Sequence, residues 1–405
     1  MRRSGFRFRP PRVEIGADLS WVLLRAFGPL ETPLPHTLSA PAVLELARQF
    51  EIANRIGARH SATRLSEELD PATALQFAAD KRQSEFVTLQ RRAAIRDVAR
   101  IAESLDVKLG LLKFIALDSG GVLIPGGREA ADIDILVAED RSRELHARLA
   151  GGGYMARDVP ATEHHLPTLD HPKLGAVEVH TFIPGVHLAG QGATLEVLGD
   201  AGLLSPVDDL PGTCLVPDSR LLTAHGLVHG IAQHGRHPDA YPSARMIADL
   251  LDLGLADRMG DDDLAVIESW IELVVSRREC AAVRMLCCWL SQGAAHWSED
   301  LHQDSDAGLL LRHLVAGTLD RQYRESLNLG FFTPGLSQRS SAAALGSVVR
   351  QTLFPSRGQL DKIYGSRTSS AGYVVRRLSR PVALAGRFLR YTTSRLLVRL
   401  RRARE

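Results

Sequence analysis

The sequence has few cysteines, few aromatic residues and no long apolar run. Four cysteines occur in 405 residues without any Cys-x-x-Cys pair, a density far below that of disulfide-rich secreted domains. No apolar stretch is long enough to span a membrane, and the basic N-terminus lacks the apolar segment of a signal peptide. We therefore expect a cytoplasmic protein with reduced thiols.

Net charge is also small, at +2, but it is unevenly distributed. Residues 338–405 carry 15 Lys and Arg against Asp361 and Glu405, a net of +13 that leaves −11 for the rest. The last predicted helix, after Pro381, is compatible with a membrane-surface helix, a nucleic-acid arm or ordinary packing. Because aromatic residues for base stacking are few, there is no clear nucleic-acid signature. We favour packing with weak attraction of this basic tail to an anionic membrane surface.

An apolar content of 45% allows two or three domains with substantial cores. The predicted units are an N-terminal extension (1–37), a helical segment (38–106), a core (107–205), a helical domain (206–337) and a basic helical tail (338–405). In the helical segment, apolar residues at helical spacing predict a long helix whose apolar face packs beside the first core strand. These residues are Phe86, Leu89, Ala93, Val98, Ile101 and Leu105.

The core contains the most informative motif, Asp132-Ile133-Asp134, at the start of an apolar run. On a β-strand, residues i and i+2 point the same way, so both carboxylates would face one site while Ile133 enters the core. Two converging carboxylates suit Mg²⁺, which prefers one or two carboxylates, water and substrate phosphates. An exposed strand end is the alternative, because paired acids are common there.

A second acidic position lies on a later predicted strand, Ala176–Ile183, where Glu178 and His180 share one face. An acid between two valines is costly to bury unless a cation or partner offsets its charge. The surface face of an edge strand explains the pattern equally well. We also predict an antiparallel strand at His164–Leu169, although Pro167 interrupts its alternation.

A histidine pair and an ion pair are predicted in the helical domain. His225 and His229 are one helical turn apart, a spacing that can bind zinc, but the Glu that a metalloprotease needs beside the first His is absent. We favour a helix–helix contact over a zinc-dependent hydrolase and expect no bound zinc. On the next helix, Arg245 and Asp249 stand at i and i+4, where they would pair with each other.

The order of these motifs resembles the uncharacterised nucleotidyltransferase family of bacteria, a branch of the polymerase-β-like superfamily. That family shows a strand ending in Lys-Gly, a Tyr-Pro segment, an Arg, Asp-h-Asp on a second strand, a Gly-Tyr and an acidic-h-His. This chain has, in the same order, Lys113, Pro125, Arg128, Asp132-Ile133-Asp134, Gly153-Tyr154 and Glu178-Val179-His180. The resemblance extends from about residue 40 to the C-terminal tail.

The resemblance implies an α+β fold, a small mixed β-sheet nucleotidyltransferase core flanked by N- and C-terminal helical segments. It implies transfer of a nucleotidyl group from an NTP such as ATP to the hydroxyl of a metabolite, an antibiotic or a protein. The implied ion is Mg²⁺, with Mn²⁺ as the alternative. The implied catalytic and metal-binding residues, expected close enough to share metal ions, are Asp132, Asp134 and Glu178. The candidate nucleotide-binding residues are Lys113, Arg128, Ser119 and Gly120.

One position departs from the family pattern: Phe114 stands where the family has Gly. Gly lets the backbone approach a phosphate closely, and a bulky side chain blocks that approach. The rival hypothesis is therefore a catalytically inactive binding or scaffold protein with the nucleotidyltransferase fold. If Phe114 projects into the cleft, the nucleotide site is closed; if it points into the core, the site stays open.

We further expect Asn at Asp132 or Asp134 to leave the fold intact, because removing one of two like charges relieves repulsion.

Overall fold

The computed structural model describes residues 15–29, 38–157, 164–233, 244–293, 305–319, 372–375 and 377–382. In these residues, seven strands form a mixed sheet in the order β3-β4-β5-β2-β1-β9-β8, and β6 and β7 form a separate hairpin. The strands are β1 Leu109–Leu112, β2 Asp132–Leu136, β3 Met155–Ala156, β4 Leu169–His171, β5 Gly175–His180, β6 Ile183–Leu188, β7 Gln191–Ala193, β8 Leu204–Pro206 and β9 Cys214–Pro217. The predicted α+β class and mixed sheet are confirmed.

Helices precede, interrupt and follow the sheet. Before it come α1 Ala17–Phe27, α2 Ala40–Gln49, α3 Ala53–Arg59, α4 Ala62–Leu65 and α5 Pro71–Ser104. Between its strands lie α6 Lys113–Ser119, α7 Glu139–Gly151 and α8 Leu195–Asp200. After it come α9 Ser219–Leu227, a π-helix Val228–Gln233, α10 Ala244–Asp252, α11 Asp261–Ile271, α12 Arg277–Gln292 and α13 Asp306–Leu319.

Two details of the predicted core differ in the structure. The sheet continues beyond residue 205, because β9 pairs in parallel with β1 through Leu109 and Cys214. The strand predicted at His164–Leu169 is shorter and later, at β4, preceded by an isolated bridge from His165 to β5. Pro167 explains the shift, since a residue without an N–H cannot continue a hydrogen-bonded ladder.

The long helix α5 exists, and its predicted apolar face is right in the second half, where Val98 is buried and Ile101 and Leu105 pack against the core, but wrong in the first half. Asp70 caps the helix by accepting a bond from the Thr73 amide at 3.0 Å. Phe86 and Leu89 are 56% and 61% exposed, whereas the buried face contains polar Ser84 and Arg91. Ser84 and Arg91 donate to backbone carbonyls of the loop before β2, so tertiary hydrogen bonds act beside buried apolar residues such as Phe77 and Ile95 in orienting α5.

The helical segment and the helical domain are joined by a buried ion pair. Arg55 of α3 donates from Nη1 and Nη2 to the two carboxylate oxygens of Asp252 in α10, at 2.7 and 2.8 Å. The two side chains are 6% and 9% exposed. Because apolar residues from α1 to α13 also belong to one hydrophobic cluster, these parts of the chain pack as a unit.

The cysteines form no disulfide, and little of the basic tail is among the described residues. All four cysteines are free thiols. Among the described residues, no helix has both the length and the apolar character needed to cross a bilayer. Most of the predicted last helix, residues 383–405, lies outside the described residues, so its attraction to a membrane surface stays a prediction.

Replacing Asp252 with Asn should lower the free energy of unfolding by about 3 kcal/mol, because the buried Arg55 charge would lose its partner. Denaturant unfolding measures this loss. The control is Asp80→Asn, which breaks the exposed Arg48–Asp80 pair at 3.0 Å and should cost less than about 1 kcal/mol. Equal losses in the two variants would contradict a special role for the buried pair.

Candidate active site

The acidic residues of β2 and β5 meet because the two strands are parallel neighbours. Asp134 pairs in register with Glu178, and Asp132 pairs with Ala176. Side chains of paired residues on adjacent strands point to the same face, and residues two apart on one strand do so too. Asp132, Asp134, Glu178 and His180 therefore share one face of the sheet.

Asp134 is the most buried acid of this face, at 2% exposure. Its Oδ1 accepts hydrogen bonds from Lys113 Nζ at 2.7 Å and from His180 Nε2 at 2.9 Å. Burial opposes its ionisation, but the Lys113 charge and the His180 bond outweigh burial and lower the pKa of Asp134. Asp134 is thus a buried carboxylate whose negative charge is stabilised by the Lys113 ammonium and by a hydrogen bond to His180.

Three side chains are arranged as metal ligands could be. One ligand atom from each of Asp134, Glu178 and His180 lies within 4.8 Å of the other two. Glu178 also accepts a bond from Thr168 Oγ1 at 3.1 Å, which fixes its carboxylate. The structure therefore brings together two of the three predicted acids and adds a histidine to them.

Asp132 lies outside this group of three but within its electric field. Burial, followed by the negative charge of Asp134, raises the pKa of Asp132 to about 6. Burial and the neighbouring carboxylate both disfavour the ionised form of Asp132, and a further cation on this face would favour it.

The two aspartates will respond differently to substitution, which corrects the expectation that Asn is harmless at either. Asn at Asp132 relieves repulsion. Asn at Asp134 removes the carboxylate that holds Lys113, whose Nζ is largely buried beside it. An unpaired buried cation is costly, so Asp134→Asn should destabilise the protein.

Lys113 reaches Asp134 because it follows β1 directly. Leu112, the last residue of β1, pairs with Asp134 across the antiparallel β1–β2 ladder. Lys113 has a φ of +48°, in the left-handed region that non-glycine residues seldom adopt. Such strain persists where the surroundings hold it, here the strand pairing on one side and α6 on the other.

Phe114 points into the core. Its side chain is 2% exposed and belongs to the main hydrophobic cluster. The guanidinium carbon of Arg128 lies 5.6 Å from the centre of the ring, within the range of a cation–π contact. Of the two positions considered for Phe114, the structure has the one that leaves the cleft open.

A small cavity lies between the core and the helical domain, beside Lys113. Its volume is about 50 Å³, room for a few water molecules. Lys113, Leu117 and Arg128 form the core side. The helical side is formed by Leu222, His225, Gly226, His229, Met246, Asp249, Leu250 and Leu253. The helical domain therefore borders the site through the histidine pair.

Of the two histidines beside the cavity, His225 is buried and His229 lies in the π-helix. His225 is 4% exposed, and burial, followed by the positive charge of Lys113, lowers its pKa to about 3. Its ring lies edge-on to that of His229, with centres 6.0 Å apart. His229 lies within the π-helix, a rare conformation that is frequent at functional sites.

Arg128 and Asp249 connect the two sides of the cavity, and Arg245 and Asp249 are not the pair that their spacing predicts. Arg128 Nε and Nη2 donate to the Asp249 carboxylate at 2.8 and 2.9 Å. Arg245 instead pairs with Glu51 at 3.2 Å. Neighbouring elements offer both residues partners from other parts of the chain, which compete with the pair along one helix.

Ser119 and Gly120 lie away from the other candidate residues. Ser119 ends α6 and Gly120 follows it, so both are separated from Lys113 by the seven-residue length of the helix. The carboxyl end of a helix presents carbonyl oxygens and repels anions. The structure thus brings Lys113 and Arg128 to one cavity but does not bring Ser119 and Gly120 there.

Sequence reasoning missed several residues of this region. His180 belonged to the acidic-h-His pattern, but no role was assigned to it. The rings of His164 and His165 flank His180, with centres 5.6 and 5.5 Å from its own. Their position beside β5 depends on the segment before β4, which no local signal in the sequence fixes.

The family model described as "Uncharacterised nucleotidyltransferase" matches residues 37–291, which is more than half of the chain. The chain belongs to this family. The match includes every predicted site residue and both sides of the cavity. Comparison with curated proteins finds no match.

Among solved structures, the chain is distantly similar to the solution structure of the antibiotic-resistance factor ANT(2'')-Ia. The alignment has a TM-score of 0.33 and 14% identity, and covers 45% of this chain and 89% of that chain.

Replacing Phe114 with Gly should lower the free energy of unfolding by about 3 kcal/mol or more, from the cavity and the added backbone freedom. The control is Phe86→Gly, at an exposed position of α5, which should lower the free energy of unfolding by about 1 kcal/mol through the backbone alone. Calorimetric titration with a non-hydrolysable ATP analogue should show no gain in affinity for Phe114→Gly. Tighter binding would mean that Phe114 closes the nucleotide site.

Proposed function

We propose that this protein is a metal-dependent nucleotidyltransferase that moves a nucleotidyl group from an NTP to an acceptor hydroxyl. The observation that carries the proposal is the register of β2 and β5, which sets Asp134 opposite Glu178 with Asp132 on the same face. Family membership supports the reaction class. The acceptor remains any molecule with a suitable hydroxyl.

The side chains fit a divalent cation. Asp134, Glu178 and His180 offer two carboxylates and one imidazole, with one ligand atom of each within 4.8 Å of the others. Asp132 is included in the proposed ion site because it shares their face. When bound there, divalent cations would polarise phosphate oxygens and stabilise the attacking and leaving oxygens of the transfer.

The protein groups have separate roles in this proposal. Lys113 and Arg128 border the cavity and supply positive charge for the triphosphate and the departing pyrophosphate. Glu178 is more exposed than Asp134, with side chains 19% and 2% accessible. Glu178 is therefore the acid placed to accept the proton of an acceptor hydroxyl. The helical domain forms the opposite wall of the cavity.

A non-catalytic nucleotide-binding scaffold is the second candidate. Lys113 already neutralises Asp134 at 2.7 Å, and Phe114 takes the place of the family Gly. A lysine that stays on Asp134 would occupy one of the carboxylates that turnover requires. Catalysis requires Lys113 to exchange Asp134 for phosphate oxygens when the nucleotide binds.

Transfer of label from α-³²P-ATP, and in turn from the other three NTPs, tests the enzyme. A cell extract supplies acceptors, and Mg²⁺ and Mn²⁺ are added in separate reactions. Asp132→Asn and Glu178→Gln should each reduce labelling by about 100-fold or more, since each removes charge that binds the cation. Asp140→Asn, at an exposed acid of α7, is the control and should retain labelling.

Unchanged labelling in a double Asp132→Asn, Glu178→Gln variant would exclude the metal mechanism. Nucleotide binding by the wild type without any labelling would favour the scaffold.

The imidazole of His180 leads to a second prediction, about which metal ion the site prefers. Carboxylates suit Mg²⁺ and Mn²⁺, whereas imidazole suits transition-metal ions, so the mixed set should bind Mn²⁺ about tenfold more tightly than Mg²⁺. Pulsed electron paramagnetic resonance of added Mn²⁺ should detect a coordinated imidazole nitrogen that is lost in His180→Gln. His165→Gln, beside the site, is the control and should keep the nitrogen signal. A wild-type spectrum without nitrogen coupling would show that His180 serves Asp134 alone.

A further inference from the structure

Arg91 is a buried cation at the base of the two acidic strands. It lies on the inner face of α5 and is 9% exposed. Its Nε donates to the Ala130 carbonyl at 3.2 Å, Nη2 to the Ala131 carbonyl at 3.0 Å, and Nη1 to the Leu174 carbonyl at 2.5 Å. Within the described residues, no carboxylate forms an ion pair with it.

The three carbonyls belong to the two positions where the acidic strands begin. Ala131 directly precedes Asp132, the first residue of β2. Leu174 directly precedes Gly175, the first residue of β5. One guanidinium thus holds the starts of both strands, ahead of the register that sets Asp134 beside Glu178.

Gly175 makes room for this arrangement. Its φ is +92°, which glycine adopts without strain, and a Cβ built there would lie 2.0 Å from Arg91 Nη1. Any side chain at this position would therefore displace the guanidinium or the strand. Arg91 and Gly175 form a matched pair, which we name the strand clamp.

Arginine suits this role for a geometric reason. Its planar guanidinium offers five donors in a fixed fork, whereas a lysine ammonium is a compact point charge on a flexible stem. A buried cation is costly when it has no charged partner. Arg91 offsets this cost by satisfying three backbone carbonyls at once, and the charges of Asp132 and Glu129 oppose the lowering of its pKa by burial.

We propose that Arg91 is a positioning residue for the ion site: it holds the starts of β2 and β5 so that Asp134, Glu178 and His180 stay within reach of one cation, with Asp132 on the same face. This inference rests on the proposed function, because it assumes that the acids bind a cation. Arg91 itself touches backbone carbonyls and acts through the strands.

The test is Mn²⁺ binding by the full chain, followed by electron paramagnetic resonance, beside denaturant unfolding of the same variants. Arg91→Lys and Arg91→Met should weaken Mn²⁺ binding about tenfold or more, the usual effect of losing an outer-shell partner of a metal site. Lysine should fail to rescue because one ammonium cannot serve three carbonyls. The matched control is Arg92→Met, which removes an exposed guanidinium bonded to Asp118 and should change Mn²⁺ affinity less than about twofold.

Gly175→Ala provides a second, independent variant. It should weaken Mn²⁺ binding as Arg91→Met does, and it should also lower stability because of the clash and the positive φ. In the double variant Gly175→Ala, Arg91→Met the clash is gone, so stability should partly recover while Mn²⁺ affinity stays low. That divergence between stability and affinity is not expected of a residue that serves folding alone.

The outcomes separate the two hypotheses. A wild type that binds no Mn²⁺ overturns the proposed function and the strand clamp's role together. A wild type that binds Mn²⁺, with folded Arg91 and Gly175 variants of unchanged affinity, overturns the positioning role and leaves the proposed function standing. Recovery of affinity together with stability in the double variant would likewise overturn it.

Discussion

The buried carboxylate of Asp134 is the constraint on which the rest of the site depends. A carboxylate at 2% exposure needs compensation, which the Lys113 charge and a hydrogen bond to His180 supply at one oxygen. Lys113, directly after β1, has a left-handed backbone conformation. The parallel pairing of β5 with β2 places His180 beside Asp134. The strand order and the strained residue both follow from satisfying this one group.

The parts of the site that could be predicted are those encoded by local spacing. The i, i+2 alternation places Asp132 and Asp134 on one face, and the same rule places Glu178 beside His180. The pairing of these two strands was beyond local spacing, since it depends on a connection of some forty residues. The family pattern supplied that link, because its acidic-h-His motif lies on a later strand of the same core.

The incorrect predictions about α5 and about the Arg245–Asp249 pair have a common physical cause. Apolar spacing indicated the wrong face for the first half of α5, where Ser84 and Arg91 are buried with backbone carbonyls as acceptors, and such acceptors leave no trace in a hydrophobic pattern. Arg245 and Asp249 were expected to pair along their helix, but Glu51 and Arg128 come from elements nearly two hundred and over a hundred residues away in sequence. Spacing rules predict contacts between residues that are close in sequence, whereas burial and charge determine which residues pair in the folded structure.

The single long helix α5 has a consequence for how the protein loses its structure. It packs against α3 and α4 at one end and against the starts of the acidic strands through Arg91 further along. The first residues of the sheet therefore depend on a helix that the sequence assigns to a separate segment. Unfolding of α5 and of the acidic strands β2 and β5 should then be one cooperative event. The backbone amides of the helix and of both strands should exchange their hydrogens at similarly slow rates. A chain shortened to begin at residue 107 would keep every acidic residue of the site yet lack the frame that aligns them.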